Sequence, residues 1–134
     1  MAETTDAAHV VRSCLTALQE GDVEAAQALL DPEVEWRNSG LPTVRGRRAH
    51  QALRDMIERG IGFEAELHHL AADGDVVLTD RTDVLTYRRF RTQFWVCGTF
   101  EVRDGRIVLW DDHFSLTNFV GAGVLGLVRS VLPR

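Results

Sequence analysis

A chain of 134 residues with 45% hydrophobic and 26% charged side chains has the make-up of one globular domain around a single core. Its 15 cations against 20 carboxylates leave a formal charge of -5, which offers no broad phosphate-binding footprint and argues against nucleic acid as a partner. Every one of those cations is an arginine, so neither Schiff-base lysine chemistry nor a phosphate-cradling lysine is available.

The start, Met1 to Ala8, is polar and acidic and lacks the basic segment and apolar run of an export signal. Residues 1–7 are expected to form a flexible start, and the protein is expected to stay in the cytoplasm. From about Ala7 to Glu20, Val10, Val11, Cys14, Leu15 and Leu18 recur at helical spacing, and Gly21 closes that helix. Asp22 can accept from the free amides of a second helix, which runs through Leu30 and is stopped by Asp31-Pro32. A short strand, Val34 to Asn38, follows. Ser39 to Gly46, with Gly40 and Pro42, reads as a loop, and Arg47 to Arg59 as a third helix ended by Gly60.

Phe63 to Ala72, Val76 to Tyr87, Thr92 to Arg103 and Arg106 to Phe114 are four extended runs. Asp73-Gly74, a basic bend at Arg88 to Arg91, and Asp104-Gly105 separate them, and such short connections make antiparallel neighbours. The order of elements predicts an α+β fold, a curved antiparallel or mixed sheet with N-terminal helices packed over a pocket, spanning 1–134 as one domain. A C-terminal helix over 117–132 is expected to turn Phe119, Leu125 and Val128 inward. The apolar stretch Phe119 to Leu132 is interrupted by Arg129 and is shorter than the roughly 20 residues a membrane span needs. Gly121 to Gly126 matches a dinucleotide-binding glycine pattern, but no strand or acidic residue follows to complete one. Cys14 and Cys97 are far apart with no histidine at zinc spacing, and adjacent His68 and His69 should point to opposite sides of their strand, so no metal site is expected.

Strand alternation places Val77, Thr79, Arg81, Asp83, Leu85 and Tyr87 on one face, and Val108, Trp110, Asp112 and Phe114 on another. Three ions on semi-apolar faces cost several kcal/mol each, about the penalty of leaving water, unless they pair or serve a function. With both carboxylates ionised, an Asp-Arg-Asp group is singly negative, and capture of one proton in a low-dielectric pocket neutralises it. The resulting aspartic acid and aspartate supply an acid for a departing oxygen and a base for water, as hydrolysis of a strained ring requires. An ion pair that only joins two strands fits the same pattern. Val77, Leu85, Trp95, Trp110 and Phe114 are the candidate pocket wall, although large aromatics such as Phe94, Trp95 and Trp110 also suit plain core. The opposite faces carry apolar residues too, Ile107 and Leu109 facing Phe100 and Val102, so a second copy of the chain is expected to cover one side as a homodimer.

Arg81-Thr82-Asp83-Val84-Leu85, Cys97-Gly98-Thr99-Phe100 with Asp104-Gly105-Arg106-Ile107, Trp110-Asp111-Asp112-His113-Phe114, and Trp36-Arg37-Asn38 with Leu41-Pro42 form a linked set of motifs. From about Val10 to Phe119 the chain resembles the limonene-1,2-epoxide hydrolase family, whose members have the NTF2-like (SnoaL-like) cone fold. The resemblance implies opening of a small apolar epoxide to a vicinal diol with no metal, cofactor or covalent intermediate. It further implies Asp112 as general base, Asp83 as general acid, Arg81 as the bridge between them, and Asn38 as a holder of the attacking water. Trp36 stands where the family usually has a water-holding tyrosine, and an indole donates one hydrogen bond but accepts none. His113 and Asp111 replace the usual tyrosine and arginine, and by alternation both point away from Asp112. The same fold also hosts ketosteroid-isomerase-like and polyketide-cyclase-like enzymes, and non-catalytic binders of apolar ligands.

Overall fold

No glycine or proline interrupts residues 2–19, and α1 occupies all of Ala2–Gln19, so the helix starts ahead of the Ala7 expected. The computed structural model describes residues 2–115, with 2–6 described by their backbone alone, together with residues 121, 123–125, 127 and 129. Gly21 ends the first helical turn-off with φ 73°, and Asp22 caps α2 (Val23–Ala28) by accepting from the Ala25 amide at 3.1 Å. β1 (Leu30–Asn38) then begins earlier than expected, and the second helix stops before Leu30. Pro32 bars a helix but fits this strand because the ladder to the neighbouring strand is irregular between Leu30 and Glu35. Inside the expected loop, Val44–Arg45 forms a two-residue β2 against Glu35 and Trp36. α3 (Arg47–Glu58) precedes β3 (Gly62–Asp73), β4 (Val76–Tyr87), β5 (Phe90–Arg103) and β6 (Arg106–His113).

These strands form one six-stranded sheet in the order β2-β1-β6-β5-β4-β3. The β3 to β6 run is the antiparallel meander predicted, and β1 joins β6 in parallel, which makes the sheet mixed. That pairing sets Trp36 beside Trp110 and Asn38 beside Asp112. Its origin is nonlocal: helix α3 and four strands separate β1 from β6 in sequence, and no short turn announces the contact.

Two irregularities reverse faces that strict alternation had assigned. In β6, Glu101 faces Leu109 while Val102 faces Ile107, leaving Val108 as an extra residue. Ile107 is consequently buried with Trp110 and Asp112, and Val108 leaves the face predicted for it. In β3 the register skips His68, so His68 and His69 both stand on the exposed side instead of opposite ones. His68 Nε2 lies 2.8 Å from Thr82 Oγ1 and His69 Nδ1 2.9 Å from Asp80 Oδ2.

The core lies between the helices and the inner face of the sheet, where Val11, Cys14, Val34, Phe100 and Ile107 are fully buried. Burial pushes the Cys14 thiol up to about 12. Gly121, Gly123, Val124, Leu125, Leu127 and Arg129 are helical, and Leu125 is half-exposed instead of inward. The rest of the expected 117–132 helix, Phe119 and Val128 included, lies outside the described residues. Among the described residues no group of three His, Cys, Asp or Glu side chains is arranged to hold a metal, and no helix is long and apolar enough to cross a membrane.

Candidate active site

Arg81 and Asp83 are two residues apart on β4, so both project to the inner face, while β6 brings Asp112 to the same face from across β5, level with Thr79. Their relative exposures are 0%, 4% and 6%. Arg81 Nε donates to Asp83 Oδ1 at 2.7 Å and Nη2 to Asp83 Oδ2 at 3.0 Å, a two-pronged pair. Nη2 also donates to Asp112 Oδ2 at 2.7 Å, and Nη1 donates to Thr79 Oγ1 at 3.0 Å. Asp112 Oδ1 is buried without a hydrogen-bond partner among the described residues.

Burial raises the Asp112 carboxyl above the ordinary carboxylate range, against the opposing pull of the Arg81 charge. The Trp110 indole lies near enough to favour the charged form of Asp112 but makes no hydrogen bond of good geometry to it. Burial alone would weaken the charge on Arg81, yet Asp112 and Asp83 together outweigh it and raise the guanidinium above its usual range. A fixed cation between two buried carboxylates leaves the group one negative charge in excess, and burial favours its capture of a proton.

Asp83 and Asp112 open onto a cavity of about 250 Å³. Leu18 of α1, Leu53, Met56 and Ile57 of α3, and Ile61 and Phe63 beyond it form its helix-side wall. Trp36, Leu85, Phe94, Trp110 and Phe114 line the sheet side, and Asn38 brings a carboxamide to the rim beside Asp112. Ser39 fastens that corner: its amide donates to the Asp112 carbonyl at 3.1 Å, and its hydroxyl accepts from the Phe114 amide at 3.0 Å. The Trp36 indole N–H is buried with no acceptor among the described residues.

The structure thus brings Arg81, Asp83, Asp112, Asn38 and Trp36 together, and places Leu85, Trp110 and Phe114 on the cavity wall. Two predicted wall residues are elsewhere. Val77 shares the inner face but lies deeper in the core, fully buried opposite Phe100. Trp95 is 62% exposed on the outer face, where its indole donates to Asp80, because its neighbours Phe94 and Val96 take the inward positions of β5. His113 and Asp111 also turn outward, 3.3 Å apart, and leave Asp112 among the apolar side chains of Ile107 and Trp110 on the inner side of β6. The helix-side wall went unread in the sequence, although Leu53, Met56 and Ile57 carry the i, i+3, i+4 spacing of an inward helical face.

A sequence model of the limonene-1,2-epoxide hydrolase catalytic domain matches residues 5–124. The chain is 42% identical over 123 residues to epoxide hydrolase EphG of Mycobacterium tuberculosis (strain ATCC 25618 / H37Rv), covering 92% of this chain and 83% of that protein. The solved structure of an M. tuberculosis LEH-like epoxide hydrolase superposes with a TM-score of 0.91 at 44% identity, over 98% of this chain and 99% of the other. At 18% identity, an NTF2-like protein from Burkholderia xenovorans LB400 superposes with a TM-score of 0.73 over 90% and 97% of the two chains, a likeness of fold alone.

Proposed function

The chain belongs to the limonene-1,2-epoxide hydrolase family and is an epoxide hydrolase of that type, and from that premise we propose that it opens an apolar epoxide to a vicinal diol by direct attack of water. The observation that carries this reading is a buried carboxylate pair on one guanidinium, with an Asp112 oxygen unpartnered among the described residues, at the wall of an apolar cavity.

In the competent state the pair holds one proton, on Asp83, and Asp112 is ionised. Asp112 takes a proton from water as the water oxygen bonds to an epoxide carbon. The ring C–O bond breaks, and Asp83 gives its proton to the departing oxygen, so no alkoxide forms in a dry site. Water and epoxide become the diol, and the proton lost by Asp83 is matched by the one gained at Asp112. While protonated on one oxygen, Asp83 keeps Arg81 through the other. The Asn38 carboxamide oxygen accepts the second water hydrogen, and the Trp36 N–H donates to the water oxygen, leaving one lone pair for attack. Holding the water in this way removes part of the entropy cost of attack. The apolar wall suits a terpenoid, steroid or other lipid-like epoxide.

We also propose that the protein works as a homodimer in the cytoplasm, whose reducing conditions suit the unpaired Cys14 and Cys97. A single-turnover incubation of excess enzyme with a panel of racemic apolar epoxides in oxygen-18 water tests the chemistry. Diol bearing one solvent oxygen in the first turnover is the expected product. Unlabelled first-turnover diol would place the nucleophile on the protein, and absence of diol across the panel would refute the substrate class.

A further inference from the structure

A planar guanidinium has two forks, Nε with Nη2 and Nη1 with Nη2, and each matches the two oxygens of a carboxylate. Arg81 uses the first fork in full on Asp83. The second fork faces Asp112 but is only half used: Nη2 bonds Oδ2, and Nη1 turns to the Thr79 hydroxyl. The Asp112 oxygen left over has no partner among the described residues, although it and Nη1 both approach the same point above Gly98. Thr79 is 4% exposed and does not line the cavity, so it reaches the chemistry only through Arg81.

The intervening strand makes this arrangement possible. On β5, Gly98 stands between Thr79 of β4 and Asp112 of β6 as the cross-strand neighbour of both. A Cβ on residue 98 would lie 2.6 Å from Arg81 Nη1, 2.7 Å from Thr79 Oγ1 and 2.9 Å from Asp112 Oδ1, all inside the closest approach carbon tolerates. Glycine is needed here for space, because the guanidinium head leans back across this strand to reach Thr79.

Taking Asp112 as the base, a reading on which this inference rests, we infer that Thr79, acting across Gly98, is a positioning residue that holds Arg81 Nη1 off Asp112 and so keeps one oxygen of the base free to take a proton from water. Without the hydroxyl, Nη1 closes the second fork on Asp112. Both oxygens of the base are then engaged, and its hold on a proton weakens. Among the described residues the charged groups facing Asp112 are Arg81 and Asp83 of β4, while β5 contributes Gly98 and β1 contributes Asn38, neither of which titrates.

The test compares kcat, KM and the pH dependence of kcat in Thr79→Val, Thr79→Ala and Thr79→Ser, with Asp112→Asn beside them, all checked by circular dichroism. Removing the hydroxyl is expected to lower kcat about tenfold or more, as for partial loss of a general base, with KM little changed. The acidic limb of the profile, which reports proton uptake by the base, should move to lower pH, and Thr79→Ser should restore both features. Thr79→Ala, with less side chain to place, serves if the valine variant does not fold. Wild-type turnover and profile in the valine or alanine variant would overturn the inference, as would lost turnover with an unmoved limb that serine does not rescue. Retained turnover in Asp112→Asn would instead remove the base assignment, and the inference would fall with it.

Discussion

A carboxylate held by half of a guanidinium fork and otherwise sealed from water grips a proton more tightly than one in solution, and this sets the pH behaviour of the site. The folded-state value of Asp112 is raised above the 3.8 of an ordinary aspartate, with burial the largest cause. A raised carboxyl adds stability that is complete below 3.8 and is lost as pH rises through the folded value, because the native state binds the proton more tightly than the unfolded chain. Turnover depends on how many protons the pair holds. It is expected to fall on the alkaline side as the pair loses its one proton, and on the acidic side as a second proton reaches the base, giving a bell in a kcat profile at saturating epoxide. Asp112→Asn and Asp83→Asn are each expected to lose at least about a hundredfold in kcat while keeping the wild-type circular dichroism spectrum, the scale of losing a general acid or base. Near-normal turnover in either would refute the role given to it. These charges were legible in the sequence because period-two alternation makes an ion among apolar side chains conspicuous. Depth along a face was not: Val77 and Leu85 share a side of β4, yet one is core and the other cavity wall. Nor was the Thr79 contact, which depends on a guanidinium folding back along its own strand.

At the scale of elements, local signals located α3 and β4 closely, since Gly60 and Asp73-Gly74 punctuate the chain where φ must be positive. Pairings without a local signal were missed. The parallel contact of β1 with β6 places Asn38 beside Asp112, and it depends on the energy of a distant neighbour instead of a turn. The extra residues at Val108 and His68 likewise arise between strands, where hydrophobic pattern alone enforces strict alternation. α3 illustrates how an element serves both stability and the site. Leu53 is buried in the core cluster and also borders the cavity, next to Met56 and Ile57. Leu53→Ala is expected to cost about 2 kcal/mol or more, the usual penalty of truncating a buried leucine, as read by urea denaturation. The same change widens the cavity without touching Asp83 or Asp112, so KM for a small epoxide should rise more than kcat falls. A variant as stable as the wild type would show that the α3 face is not packed against the sheet as described.

For the molecule as a whole, one face of the sheet is covered by α1, α2 and α3, while among the described residues no element covers its other face over β3 to β6. On that open face Trp95 and Leu78 are more than half exposed. The Trp95 N–H is tied to Asp80, and that bond, followed by His69, lowers the Asp80 carboxyl below its usual range. Polar edges are thereby satisfied within the chain, while the indole ring itself remains turned to solvent. On the same face stand Glu66, Asp80 and Arg91, charges of both signs, together with His68 and His69. A two-fold contact sets one patch against its own copy, so it requires a self-complementary surface, and mixed charges around an apolar centre meet that requirement. Light scattering at micromolar concentration is expected to give twice the protomer mass. Trp95→Arg should shift that mass to a single protomer, since it sets like charges and lost apolar area at the centre of the contact. Asp83 and Asp112 project from the opposite side of the same strands, so diol formation should persist in the dissociated variant. A wild-type mass of one protomer, or a Trp95→Arg variant that stays dimeric, would place any assembly elsewhere than on this face.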